Sequence, residues 1–389
     1  MKPHLIGRSA PRLGIIGGGQ LARMTALAAA RLGCEVDILA PSQKCPAFSF
    51  AVTRHVGDWS SVEALRGLAA GVDAVTVENE FVDADMLRVL EEQGHLVCPS
   101  ASCIACVQDK FVQKQALAAA GLPVPAFSSV ETPEAVLAFA AIHGFPLVLK
   151  TRRNGYDGRG NATVRSAGEL AEAWSSLATS DGGLMVEAFC PFVKELAVMV
   201  VRSRLGECVS YPVVESIQSE HVCRTVIAPA LISDDQRVAA SELALRVVQV
   251  VGGTGCLGVE LFLTGQGALF VNEIAPRVHN SGHYTIEACD ISQFENHVRA
   301  VLGLPLGSPR MRVPCAVMVN LLGAAEGDGV PLGLEKVLEM SGVQLHLYGK
   351  ERSARGRKMG HVTVLADEPA KALEEATLAA SLIRFGSEA

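Results

Sequence analysis

The run Asn272-Glu273-Ile274-Ala275-Pro276-Arg277-Val278-His279-Asn280-Ser281-Gly282-His283-Tyr284 decides how this chain reads. It starts as the end of an apolar strand, 269–274, and passes at Pro276 into a polar loop closed by Gly282. Loops held on a rigid scaffold commonly carry sites. Arg277, His279, Asn280 and His283 crowd into that loop. A planar guanidinium grips a carboxylate or bicarbonate through two parallel hydrogen bonds. An imidazole donates to a developing oxyanion or moves a proton. A metal held by the two histidines is the lesser reading, because a hard ion prefers oxygen. Glu273 and Asn272 close one strand, and Glu260 lies on the strand before it, 259–263. Two acids on neighbouring strands suit a magnesium ion that also binds phosphate oxygens. Either glutamate alone would read as a solvated strand residue.

The partners of such a metal lie upstream. Lys150 ends the apolar strand 145–150, and Lys110 opens a helix expected over 109–120. Both are candidates for neutralising phosphate charge. Gly155-Tyr156-Asp157-Gly158-Arg159-Gly160, followed by Asn161, has three glycines in six residues. A loop of that kind can fold its amides over phosphates, or serve only as a hairpin turn. It is no Walker loop, since no Gly-Lys-Ser/Thr follows. The strand 184–187 reads as an edge whose backbone, with Ala188 and Phe189, could hold an adenine, and Glu195 could reach a ribose.

Toward the N-terminus, strand 12–16 runs into Gly17-Gly18-Gly19 and a helix from Gln20 to about Leu32. Further strands at 34–39 and 72–77 complete a βαβ rhythm, which argues for a parallel sheet with helices on its faces. Gly17-x-Gly19-x-x-Ala22 resembles a dinucleotide fingerprint. The second strand, however, ends in Ala40-Pro41-Ser42, without the acid that would hold a ribose. An anion site for a phosphorylated substrate is the better functional reading, against a turn kept for packing. The central block mixes strands with a strong helix at 234–251. A Gly/Pro linker at 303–309 precedes a last segment with a strand at 312–321 and a basic stretch at 350–358.

The chain has 389 residues, a formal net charge of −7 and 19% charged residues. That length allows two or three cores, and the acidic balance disfavours nucleic acid or an acidic membrane as partner. No secretory signal and no transmembrane helix are expected. Eleven cysteines without zinc spacing, Cys103-x-x-Cys106 among them, read as reduced and mostly structural, in the cytoplasm.

Taken in order, Lys110, Lys150, the 155–160 loop, Glu187, Glu195, Glu260 and Asn272-Glu273 resemble the ATP-grasp superfamily. Within it, the chain resembles the N5-carboxyaminoimidazole ribonucleotide synthetases of purine biosynthesis. The narrower likeness rests on Gly17–Met24, Thr76–Glu80, Gln108–Lys110, Ala228–Ala230, the 272–288 run, Ser292–Glu295, Tyr348–Lys350 and Gly356–His361. It spans nearly the whole chain.

The resemblance implies an α/β and α+β chain in three parts. These are an N-terminal Rossmann-like (preATP-grasp) domain at 1–104, an ATP-grasp domain at 105–302 with a lid lobe at about 125–190, and a small C-terminal β-rich domain at 303–389. It implies ATP with Mg²⁺ (or Mn²⁺), bicarbonate, and 5-aminoimidazole ribonucleotide as the amine that captures CO₂ released from carboxyphosphate. A homodimer is expected on the same ground. Lys110, Lys150, Gly155, Tyr156, Gly158, Gly160, Asn161, Glu187, Glu195, Asn272 and Glu273 are implied as nucleotide contacts. Glu260 and Glu273 are implied as metal ligands. Arg277 and His279 are implied as facing bicarbonate or carboxyphosphate, Asp157 as acceptor of the amine proton, and Arg159 as a further catalytic residue. Gln20, Leu21, Glu80, Tyr156, Asn280, Lys350 and Arg357 are implied on the ribonucleotide, the last two on its phosphate.

Three positions depart from the family's pattern. Ala22 replaces a common Gly, Gln218 a common His, and Lys110 the Arg of some members. The competing readings are another ATP-grasp ligase, such as a formate-dependent glycinamide ribonucleotide transformylase or biotin carboxylase, a Rossmann-type oxidoreductase, and a nucleotide-binding regulator.

Overall fold

A computed structural model describes residues 10–155, 160–178, 182–219 and 222–386. The first lobe is a parallel sheet in the order Thr53–Val56, Glu35–Ala40, Arg12–Ile16, Ala74–Val77. The three strands Glu35–Ala40, Arg12–Ile16 and Ala74–Val77 are almost wholly buried because helices cover both faces, while the edge strand Thr53–Val56 alternates half-buried and exposed residues. The helix Gln20–Arg31 contributes Ala22, Ala26 and Ala29 to that core, and small side chains let it lie close. Ala22, which replaces a common Gly, thus packs its methyl into this core and not into the cavity. A later helix, Gln293–Leu302, also buries Val298, Val301 and Leu302 there. His297 on this helix meets Thr76 Oγ1 at 2.9 Å and accepts from the Cys256 amide, so it ties the first lobe to the central sheet.

The small second sheet runs Phe127–Val130, Leu184–Ala188, Leu147–Thr151, Asn161–Val164, all antiparallel. The helices Pro133–His143 and Leu170–Leu177 cover it. Leu184–Ala188 is therefore an inner strand, paired on both sides, and the expected edge is not there. At its end, Ala188 and Phe189 reach the lining of the cavity described below, while their amides donate to Ala126 and Pro146.

The central sheet is antiparallel and reaches from Leu269–Ala275 through Gly255–Thr264, Phe192–Arg202, Val214–Ser219 and Val222–Ala228 to Cys315–Leu322, Lys358–Ala366 and Val343–Leu347. The C-terminal strands continue this sheet. Val222–Ala228 would otherwise leave an open edge, and Cys315–Leu322 pairs with it from Thr225↔Val319 to Ala228↔Ala316. The helix Asp234–Val251 packs beneath the sheet; a Ser233/Gln236 capping box starts it and Gly252, at φ 69°, ends it. Among the described residues, no helix is long and apolar enough to cross a membrane.

Candidate active site

The three lobes enclose a cavity of about 600 Å³. Lys110, Lys150, Gly155, Asn161, Glu187, Glu195, Glu260, Asn272 and Glu273 line it. So do Gln20, Leu21, Glu80, Arg277, His279 and Asn280. Among the described residues, Lys350 and Arg357 stand outside the lining. Lys350 donates to the Lys358 carbonyl at 2.6 Å, and Arg357 is exposed and donates to the Arg352 carbonyl at 2.8 Å. Tyr156, Asp157, Gly158 and Arg159 lie outside the described residues.

One end of the cavity gathers Lys110, Lys150 and the strand acids. Asp109 caps the helix Lys110–Ala119 by accepting from the Phe111 and Val112 amides. Arg152 holds the same carboxylate through two bonds, and its own carbonyl accepts from the Lys110 amide at 2.8 Å. This stitches the start of that helix to the end of the strand bearing Lys150. The Lys110 ammonium meets the Glu273 carboxylate. Burial opposes both charges, but each outweighs it for the other, so Lys110 is raised and Glu273 lowered from their ordinary values. Lys150 donates to Glu187 Oε2 at 2.9 Å. The Glu187 carboxylate is thus committed to lysine, and only its strand's backbone and end are free to meet a nucleotide. The glycine loop joins antiparallel strands, with Lys150 opposite Asn161. Gly160 has φ 80°, and a Cβ there would sit 2.4 Å from Thr151 Oγ1, so this corner requires glycine.

Glu260 and Glu273 are register partners on adjacent strands, at a bulge. Burial and then the nearby Glu273 and Glu195 charges push the Glu260 carboxyl up to about 8. Glu195 is raised to about 7 by burial and Glu273. Crowded carboxylates of this kind favour a divalent cation, which relieves the repulsion and takes hard oxygen donors. Among the described residues, no group of three His, Cys, Asp or Glu side chains is placed to hold a metal ion by itself. Gln218 donates to Glu195 Oε2 at 2.7 Å, so the residue that departs from the family's histidine still serves this carboxylate.

The other end holds the loop after Pro276. Arg277 donates to Glu80 through Nε at 2.5 Å and Nη2 at 2.9 Å, a two-point pair between the central sheet and the first lobe. His279 Nδ1 accepts from the Ser281 amide at 3.4 Å, which assigns the ring proton to Nε2, 3.4 Å from Glu260 Oε1. Burial, then Arg277 and Lys358, lower its pKa to about 3, so the ring is neutral. Gln293 clamps its backbone, accepting from the His279 amide at 3.0 Å and donating to its carbonyl at 2.7 Å. Gly258 gives it room, since a Cβ there would lie 2.7 Å from that of His279. Asn280 and Asn320 exchange two amide hydrogen bonds, at 2.9 and 2.7 Å.

The glycine run of the first lobe is not an open anion site. Glu78 occupies it, accepting from the amides of Gly19, Leu21 and Ala22 at 2.6, 3.1 and 3.4 Å. The reading as a phosphate cradle is corrected: the anion at this helix N-terminus is the protein's own. Sequence reasoning also passed over Lys358, which lines the cavity, and Phe192 and Phe262, whose stacked rings at 4.5 Å form part of its wall. Phenylalanines at the outer ends of strands that carry site acids were the available signal.

Family models match in three segments: a ribonucleotide synthetase preATP-grasp domain over 11–108, an ATP-grasp domain over 115–294, and a phosphoribosylaminoimidazole carboxylase C-terminal domain over 316–375. The N5-carboxyaminoimidazole ribonucleotide synthase of Synechococcus elongatus is 43% identical over 353 residues, covering 90% of this chain and 89% of the relative. The crystal structure of N5-carboxyaminoimidazole ribonucleotide synthetase from Thermotoga maritima superposes with a TM-score of 0.88 at 41% identity, over 97% of this chain and 100% of that one. The Aspergillus clavatus N5-carboxyaminoimidazole synthase, in complex with ADP and 5-aminoimidazole ribonucleotide, gives 0.88 at 35% identity, over 96% and 98%.

Proposed function

The chain belongs to the N5-carboxyaminoimidazole ribonucleotide synthase family of ATP-grasp ligases, and from that premise we propose that it carboxylates the amine of 5-aminoimidazole ribonucleotide, using ATP and bicarbonate, in purine biosynthesis. The observation that carries this reading is that one cavity joins the Lys110–Glu273 and Glu260 end to the Arg277–His279 end. A phosphoryl donor and a small anionic acceptor then meet on one strand and loop.

In this reading Lys110 and Lys150 bear on the ATP phosphates, where catalysis is mainly positioning and charge neutralisation. The strand end at Ala188–Phe189 meets the adenine, and Glu195 with Gln218 meets the ribose. A magnesium ion, when bound, would be held by Glu260 and Glu273 and would neutralise and orient phosphate oxygens. Arg277 and the neutral His279 Nε2–H hold bicarbonate by donating hydrogen bonds. A bicarbonate oxygen takes the γ-phosphoryl group, ADP leaves, and carboxyphosphate forms. It breaks to CO₂ and phosphate, and the ribonucleotide amine adds to the CO₂ carbon and gives up a proton, for which Asp157 is the proposed acceptor. Carboxyphosphate is labile in water, so enclosure of the site serves the chemistry. Gln20, Leu21, Glu80 and Asn280 border the ribonucleotide's end of the cavity. The same proposal includes the cytoplasm as location and a homodimer as the working form.

The test is phosphate release from Mg·ATP with bicarbonate and the ribonucleotide each added or omitted. Turnover that requires both is expected. Release indifferent to the ribonucleotide would refute the assignment.

A further inference from the structure

Lys114 follows Lys110 by one helical turn and is 2% exposed. It does not line the cavity, whereas Lys110 and Lys150 do. Its ammonium donates to the carbonyls of Val271 and Asn272 at 3.3 and 3.1 Å and lies 3.2 Å from Glu187 Oε1. Lys150 takes the other oxygen, Oε2, at 2.9 Å. One buried carboxylate is thus shared by two lysines, one facing the cavity and one behind it.

The charge balance of this trio matters. With Lys114 protonated, the trio carries one net positive charge, and Lys150 is the lysine of the two that faces the cavity. Without Lys114, Glu187 and Lys150 would form a closed neutral pair. A buried one-to-one pair is held tightly, and its field is largely cancelled for a third group. Glu187 would then compete with phosphate for the Lys150 ammonium.

We propose that Lys114 is a positioning residue for nucleotide binding, which takes up the Glu187 charge from behind and so leaves Lys150 free to attract phosphate. This rests on the reading of Lys150 as a phosphate contact. By bonding the carbonyls of Val271 and Asn272, Lys114 also ties the strand carrying Glu273 to the strand carrying Glu187.

The test is calorimetric titration of Mg·ATP into wild type, Lys114→Met, Glu187→Gln and the double variant. Lys114→Met is expected to weaken binding about tenfold or more, the scale of one lost charge-assisted contact. The double variant restores the balance, since a neutral Gln no longer draws on Lys150, and is expected to bind within about threefold of wild type. A merely structural lysine would not be rescued by changing a second buried residue. The proposal is overturned if Lys114→Met binds like wild type, or if the double variant binds no better than Lys114→Met. Should Lys114→Met fail to fold, the double variant decides: near-wild-type binding supports the charge argument, and weak binding or failure to fold overturns it. A wild type that does not bind Mg·ATP overturns the nucleotide reading itself, and this inference with it.

Discussion

Glu78 Oε2 accepts from the Gly19 amide at 2.6 Å, so a carboxylate from the end of the strand Ala74–Val77 stands where a helix N-terminus would otherwise bind a ligand anion. Burial raises the Glu78 pKa, and the three amide donors pull the other way. The glycines make room for it. A Cβ at Gly19 would lie 2.3 Å from Glu78 Oε1, and one at Gly17 would lie 2.6 Å from its Cβ. Gly19→Ala must therefore displace a carboxylate bonded to three amides. It should cost about 1–3 kcal/mol, the range for overpacking, seen as a lower Tm. Because Gln20 and Leu21 follow directly, the KM for the ribonucleotide should rise while that for ATP holds. An unchanged Tm and KM would contradict the clamp.

Glu260 yields a prediction with a definite sign. Its carboxyl is raised to about 8, while an unfolded glutamate titrates near about 4.3. Between those values the folded chain holds a proton that the unfolded chain has released. Stability from this group is therefore fully present below the unfolded pKa and is lost as pH rises toward about 8. Glu260→Gln removes the loss. In the absence of metal and nucleotide, the variant should melt above wild type at pH 8, by about 2 °C or more, and the gap should shrink at pH 5. On the proposed role of Glu260 as a metal ligand, it should also be inactive. Thermal scans at the two pH values check this; a variant that melts lower at pH 8 would contradict it.

Arg277 holds Glu80 by two bonds from a planar fork, which a lysine cannot reproduce. Arg277→Lys should lower kcat/KM for both bicarbonate and the ribonucleotide by about 10- to 100-fold, the range for losing one charge-assisted contact. Steady-state kinetics in each substrate will separate this from a loss confined to ATP.

Glu273→Gln should fold, because Glu273 lines a cavity and fills no core, yet lose most turnover. Chelation of divalent ions should likewise stop wild type, with recovery on adding Mg²⁺ or Mn²⁺. A fully active Glu273→Gln enzyme would remove Glu273 from the metal site.

Much of the site was legible because its chemistry is written in short runs. Asn272-Glu273 and Arg277–His279 sit on one strand and loop, and Glu260 lies one hairpin away. What was not legible depends on burial by distant segments. Lys114, in a Gln/Lys/Ala-rich helix, reads as a surface residue until Val271, Asn272 and Glu187 close over it. Glu187 reads as a ligand contact, but its carboxylate serves two lysines. The glycine run reads as a site for a substrate's phosphate, but Glu78, far away in sequence, takes its amides. Lys350 and Arg357 carry the charge for a phosphate, and each gives one hydrogen bond to a backbone carbonyl. The continuation of the central sheet past Cys315 depends on which strand leaves an open edge, and composition does not encode that.

The proposed reaction turns on phosphorylation of bicarbonate at the Arg277–His279 end, with its carbon then passed to the ribonucleotide amine. The most direct test supplies ¹⁸O-labelled bicarbonate with Mg·ATP and 5-aminoimidazole ribonucleotide and analyses the released phosphate by mass. Carboxyphosphate leaves a bicarbonate oxygen on the phosphate, so ¹⁸O-labelled phosphate is predicted, released faster with the ribonucleotide present. Unlabelled phosphate, or label whose release ignores the ribonucleotide, would contradict it.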